Sequence, residues 1–213
     1  MTAAQRLQRV RDRMEAAAAS VARDPAGVQL IAVSKTQPVD AIRALYDLGI
    51  RQFGESRLQE AIPKIEALPN DIEWHFIGHL QSNKTRRVAE YFDVIQTLST
   101  EGQLRELAKV EKSVSALIEV NIAREAQKSG ILMENLARFR DLVLQCKQVH
   151  LRGLMTIGPL VADQEQIRPF FRELALANQD PWLSMGMSDS LEVGIQEGAT
   201  HIRVGTSLFG ERD

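Results

Sequence analysis

The sequence predicts an α/β fold, a single-domain (β/α)8 barrel of the TIM type with a helix ahead of its first strand. Short apolar runs alternate strictly with segments of helical periodicity, the signature of a parallel sheet. Eight such runs fit within 213 residues, and eight β/α units are what closes a barrel. The first run, Val28–Val33, is rich in aliphatic residues and suits a strand covered on both faces. An open doubly wound sheet shares the alternation; the count of eight favours closure. Every strand but the last is followed by a helix, so the N-terminal helix is expected to supply the eighth by packing beside strand eight.

Each element has its own warrant. Across residues 2–23, Leu7, Val10, Met14, Ala17 and Val21 recur at helical spacing, with arginines and acids elsewhere. Asp24-Pro25 and Gly27 stop that helix. Pro38 suits a first helical turn, where its missing N–H costs nothing, and the helix of residues 38–48 closes at Gly49. Strand 51–53 leads to helix 57–68, and Pro69-Asn70-Asp71 turns the chain. Strands 73–77 and 94–96 precede helices 83–91 and 101–112. Strand 116–120 leads through a polar loop, 121–130, to a helix over 132–147. Strand 151–155 leads through loop 156–162 to helix 163–179, and strands 182–184 and 201–204 flank helix 189–197.

Composition narrows the function. With 44% hydrophobic and 25% charged residues the chain reads as soluble and globular. A net charge of −2 offers no basic surface for nucleic acid. No run approaches the length of a membrane span, and the N-terminus lacks an apolar signal core. Cys146 is the only cysteine, so neither an internal disulfide nor a thiolate metal site is expected. These features predict a cytoplasmic protein with no nucleic-acid, membrane or metal partner. A monomer is expected.

In a barrel of this kind function sits where strands end and βα loops begin. Those points carry Ser34-Lys35, then Phe53-Gly54-Glu55-Ser56, then Gly78-His79-Leu80-Gln81-Ser82-Asn83-Lys84. Later strands end at Asn121, at Met155-Thr156, at Ser184-Met185-Gly186-Met187-Ser188-Asp189 and at Arg203-Val204-Gly205-Thr206. The last two are the loops where barrels bind phosphate, through backbone amides of a glycine turn and a helix N-terminus. Ser188-Asp189 also reads as an ordinary N-cap. A lysine on one side of the mouth and a phosphate cradle on the other suggest a Schiff base with a phosphorylated carbonyl compound, since a desolvated amine is a better nucleophile. Without the cradle, Lys35 is a solvated strand cap.

The segments "IAVSKTQP", "FGESRLQEA", "WHFIGHLQSNK", "KSGI", "LRGLMTIGP", "LSMGMSDSLEVGI" and "IRVGTSLFGER" resemble, in order, those of the pyridoxal-phosphate homeostasis protein family (the YggS/PROSC type). The likeness runs from residue 28 almost to the end. It implies an alanine-racemase-like fold type III barrel in which Lys35 carries pyridoxal 5′-phosphate (PLP) as a Schiff base. By the same resemblance Ser188 and the backbone of Gly205 and Thr206 hold the phosphate, and Arg203 faces the pyridine nitrogen. Ser56, Asn83 and Met155, at or after the ends of strands two, three and six, complete the expected cofactor set. The family usually reads "FGENY" where this chain has Phe53-Gly54-Glu55-Ser56-Arg57, so Ser56 stands in place of an asparagine.

That arrangement limits the chemistry. A guanidinium only donates, so the pyridine nitrogen facing it stays neutral and the ring is a poorer electron sink. Alanine racemase, by resemblance, adds a second domain and a tyrosine base. Here the chain ends soon after strand eight, and Tyr46 and Tyr91 fall late in helices. His75 reads as a core histidine, and His79 is given no catalytic role. No catalytic residue is assigned, and little or no turnover is expected. The reading is a PLP-binding homeostasis protein with PLP-dependent enzymes as possible recipients. The alternatives are a small PLP-dependent racemase of the same fold and a Schiff-base aldolase acting on a sugar phosphate. Loop residues Lys128-Ser129-Gly130 could reach an anion, but are expected rather to be solvated and mobile, and Cys146, Trp74 and Trp182 to pack in the core.

Overall fold

The computed structural model describes residues 1–159, 161 and 163–210. Eight parallel strands close into a barrel: β1 (Gln29–Val33), β2 (Gln52–Glu55), β3 (Glu73–Phe76), β4 (Val94–Leu98), β5 (Val114–Glu119), β6 (Val149–Met155), β7 (Trp182–Ser184) and β8 (His201–Val204). Each pairs with its sequence neighbours, and β1 pairs with β8 in the register Ile31↔Arg203 and Ala32↔Val204. The helices are α1 (Ala3–Ala19), α2 (Val39–Asp47), α3 (Leu58–Ala67), α4 (Thr85–Tyr91), α5 (Glu101–Leu107), α6 (Leu136–Gln145), α7 (Arg168–Ala177), α8 (Leu191–Gln196) and α9 (Thr206–Phe209).

The expected closure by the N-terminal helix is found. Leu7, Val10, Met14, Ala17 and Ala18 of α1 are buried, and the helix packs against α2, α8 and α9, filling the gap in the ring. A capping box starts it: Thr2 Oγ1 accepts from the Gln5 amide at 3.2 Å and Gln5 Oε1 from the Thr2 amide at 2.9 Å. The helix is shorter than its periodicity predicts, because Ala22 turns to φ 53° and leaves Val21 exposed.

Boundaries shift where capping outweighs periodicity. The segment before α7 is a 3-10 turn, Gln164–Ile167, capped by Asp163. Ser190, not Ser188-Asp189, occupies the N-cap position of α8, with its Oγ accepting from the Met187 amide at 3.1 Å. One short helix, α9, is too brief to register as a periodic pattern; its Leu208 is buried, and Arg6 Nε of α1 donates to the Leu208 carbonyl at 2.5 Å. The predicted loop over 156–162 includes Leu160 and Ala162, which lie outside the described residues, as do residues 211–213. Gly153 (φ 153°) lets β6 run against β7, since a Cβ there would meet the Trp182 carbonyl oxygen at 1.7 Å.

Candidate functional site

Lys35 lies in the turn just beyond β1, half-buried, and its ε-amine enters no hydrogen bond or ion pair among the described residues. The next residue, Thr36, takes the left-handed conformation (φ 66°), and its hydroxyl donates to the Lys35 carbonyl at 2.6 Å. Behind the turn the backbone is braced. Ser34 is fully buried, and its Oγ donates to Glu55 Oε1 at 2.7 Å. Lys64 Nζ, reaching in from α3, donates to the same carboxylate oxygen at 2.8 Å and to the Ser34 carbonyl at 3.0 Å.

Barrel closure changes the expected layout. Because β1 pairs with β8, the strand that ends at Lys35 runs directly beside the strand that ends at Gly205-Thr206. The amine and the glycine turn are therefore neighbours on the rim rather than facing each other across it. Gly205 is the cap residue of α9, so the Thr206 and Ser207 amides fall in its first turn, where amides have no acceptor within the helix. Ser188, Asp189, Thr206 and Ser207 line one cavity of ≈ 550 Å³ with Arg6, Arg9 and Arg13 of α1. Arg13 secures that wall: its Nη2 donates to the Ser188 carbonyl at 2.9 Å while its Nε meets Glu192 Oε1 at 2.6 Å.

Arg203 lies inside the barrel, 4% exposed. Its Nη1 donates to Ser184 Oγ at 2.6 Å and its Nη2 to the Thr156 carbonyl at 2.7 Å. Two of its five N–H groups are thereby used. Burial lowers the guanidinium to about 10, with Glu119 pulling the other way, so it stays charged at neutral pH. Glu119 ends β5, 6% exposed, and desolvation pushes its carboxyl up to about 7 against the pull of Arg203.

Of the other expected cofactor residues, Met155 lies at the end of β6, beside Ser184 of β7, and Ser56 and Asn83 lie beyond the ends of β2 and β3. Met155 is fully buried among Val94, Leu117 and Trp182. Ser56 lies on the β2–β3 side, lining a pocket with His79, Gln81 and Lys84. Its carbonyl oxygen packs so closely on Gly78 that a Cβ there would sit 2.0 Å away. Asn83 is exposed on the 3-10 turn Ser82–Lys84 that precedes α4.

Lys128-Ser129-Gly130, expected to be solvated and mobile, belong to a loop held by several hydrogen bonds. Asn121 Nδ2 donates to the Glu125 carbonyl at 2.8 Å, and its Oδ1 accepts from the Glu125 amide at 3.1 Å. Lys128 Nζ meets Glu125 Oε1 and, at 3.0 Å, the Gly158 carbonyl. His79 Nδ1 lies 2.8 Å from Ser129 Oγ, which joins this loop to the one after β3. Trp74 is buried as expected, whereas Trp182 is partly buried against Met155; Cys146 packs half-buried against the core.

Sequence reasoning missed Glu55 and Lys64 as supports of the Lys35 turn, and Gln96, Ser184 and Thr156 as neighbours of Arg203. For Glu55 and Gln96 a signal existed: a charged or amide side chain beside large apolar residues in a short strand, Gln52–Glu55 and Val94–Leu98. For Lys64 none existed, because a helical lysine reads as solvated.

Comparison with known proteins shows the family. The family model "Alanine racemase, N-terminal domain" matches residues 6–213. A pyridoxal phosphate homeostasis protein of Aquifex aeolicus is 39% identical over 226 residues, covering 100% of this chain and 99% of that protein. The protein of the same name from Escherichia coli K12 is 41% identical over 228 residues, covering 99% and 97%. PipY of Synechococcus elongatus, solved with PLP bound, superposes with a TM-score of 0.82 at 36% identity, covering 98% of this chain and 100% of that one. Alanine racemase from E. faecalis shares the fold at TM-score 0.73 and 16% identity, and this chain spans 58% of its length. The chain belongs to the alanine racemase N-terminal domain family and, within it, to the pyridoxal phosphate homeostasis proteins.

Proposed function

We propose that this protein binds PLP as a Schiff base on Lys35 and serves PLP homeostasis with little or no turnover. The observation that carries the reading is one of adjacency. An amine with no partner among the described residues and a glycine turn with first-turn amides follow β1 and β8, and a buried charged guanidinium lies on β8, the two strands being paired edge to edge. Those donors suit PLP. Lys35 offers the amine. The Thr206 amide and the Ser188 hydroxyl offer hydrogen bonds to a phosphate, with arginines of α1 lining the same cavity. Arg203 offers donors to a ring nitrogen. Bound PLP supplies an aldehyde for the amine and a pyridine ring as electron sink.

The residues present favour holding over turning over. Arg203, charged and donor-only, keeps a nitrogen in front of it unprotonated and so weakens the ring as a sink. Tyr46 is spent on Asp71, its hydroxyl donating to Oδ1 at 2.7 Å on the outer face of α2. We place the protein in the cytoplasm as a monomeric, single-domain PLP carrier spanning residues 1–213, with PLP-dependent enzymes as recipients. The test is absorbance. Protein incubated with PLP is expected to gain a visible band that Lys35→Ala abolishes; a colourless protein that PLP cannot load overturns the reading.

A further inference from the structure

Below the mouth, a polar chain crosses the barrel that cofactor binding alone does not require. Arg203 Nη1 donates to Ser184 Oγ at 2.6 Å, and Ser184 Oγ donates to Gln96 Oε1 at 2.8 Å. Gln96 Nε2 lies 2.9 Å from His75 Nδ1, and His75 Nε2 lies 2.8 Å from Glu73 Oε1. These side chains come from β8, β7, β4 and β3, so the Gln96–Ser184 link spans the lumen from one wall to the other. His75, Gln96 and Ser184 are fully buried.

The direction of the chain follows from its ends. A guanidinium only donates and a carboxylate only accepts. Ser184 must therefore receive from Arg203, and the Gln96 oxygen, at 2.8 Å, is the acceptor its own buried proton finds among the described residues. The amide must turn its NH2 group to His75, and His75 must be the neutral tautomer protonated on Nε2. Glu73 is held below the usual carboxylate range, chiefly by its hydrogen bond to His75. Barrel interiors are ordinarily filled by branched aliphatic residues. A buried polar chain is costly unless every link is made, and fully made it fixes one geometry.

We propose that Gln96, with Ser184 and His75, is a positioning device for Arg203. The chain fixes the rotation of the guanidinium and draws its charge towards β3, leaving its unused N–H groups set for a neutral heteroaromatic nitrogen at the mouth. This rests on the reading that Arg203 faces the PLP ring.

The experiment has two arms. In cofactor-free protein, ¹⁵N NMR of the histidine rings is expected to show His75 as the Nε2–H tautomer, and as imidazolium in Gln96→Glu, whose carboxylate needs a donor on both sides. In protein loaded with ¹⁵N-labelled PLP, Gln96→Met and Ser184→Ala are each expected to move the pyridine ¹⁵N resonance and weaken PLP retention about tenfold. Ser184→Thr, which keeps the hydroxyl, is expected to restore the wild-type resonance, and borohydride trapping on Lys35 should persist in all. A His75 protonated on Nδ1 overturns the relay. An unmoved pyridine resonance in Ser184→Ala overturns the positioning role. Wild-type protein that takes up no PLP overturns the cofactor reading, a result distinct from both.

Discussion

Lys64 and Glu55 form a buried ion pair, Nζ to Oε1 at 2.8 Å, directly behind the turn that carries Lys35. Both side chains are nearly inaccessible, at 10% and 0% exposure, and the other carboxylate oxygen of Glu55 has no partner among the described residues. Removing the cation leaves a desolvated carboxylate. Lys64→Met is therefore expected to destabilise the protein by about 3–5 kcal/mol, and the Glu55→Gln/Lys64→Met pair by less than the single change. Urea unfolding measures both; a double variant no more stable than Lys64→Met contradicts the account.

Lys35 contrasts with that pair. It is half-buried, with no ion pair or hydrogen bond to its amine among the described residues. Lys35→Ala should change folding stability by less than about 0.5 kcal/mol while eliminating the visible band of the PLP-loaded protein. Thermal unfolding and absorbance on one sample separate the two effects.

The phosphate wall predicts a graded response. In the proposed site, Ser188→Ala removes a hydroxyl that would donate to a charged phosphate, worth about 1.5–3 kcal/mol, or roughly tenfold to a hundredfold in PLP affinity. Arg13→Ala loses the brace on the Ser188 carbonyl, the partly exposed pair with Glu192 and one of three arginine charges lining the cavity; with Glu192 already offsetting that charge, its effect should be smaller. Equilibrium dialysis of PLP ranks the two; an unaltered affinity in Ser188→Ala places the phosphate elsewhere.

Two buried groups oppose each other in the pH dependence of stability. Desolvation lowers His201 from 6.5 to about 3. Between those values the unfolded chain binds more protons, so stability rises with pH. Desolvation raises the Glu119 carboxyl from 4.5 to about 7. Between those values the folded chain binds more protons, so stability falls with pH. Each slope has a ceiling of about 1.4 kcal/mol per pH unit. The two nearly cancel from pH 4.5 to 6.5, and below 4.5 the His201 loss continues, joined by that of Glu73, whose carboxyl is held below its ordinary value. Urea unfolding is expected to show that plateau in the wild type, replaced in Glu119→Gln by a rise with pH throughout. Identical profiles contradict it.

Much of the fold was legible because β/α alternation is a local property. Apolar runs and helical periods appear in any window long enough to hold them, and eight runs suffice to suggest closure. Ends were less legible: the 3-10 turn before α7 depends on the Asp163 side chain finding the Glu165 amide, and α8 starts at Leu191 after a turn in which Ser190 Oγ accepts from the Met187 amide rather than from the helix. Of the proposed site, Lys35, Ser188 and Gly205-Thr206 were legible because they follow strands, and strand ends in a barrel share one face; Arg203 lies within β8 and, like the cofactor roles, is named through the family resemblance.

By itself the sequence determined that strands and helices alternate, that a lysine ends the first strand, and that a glycine turn follows the last. Strand pairing decided the rest. Lys35 and Thr206 are separated by most of the chain, and only the β1–β8 closure makes them neighbours. The same closure sets Gln96 of β4 opposite Ser184 of β7, 88 residues apart in sequence, and so provides Arg203 with its chain of partners. Contacts of that kind depend on which walls face each other across the lumen, a relation no local pattern of residues encodes.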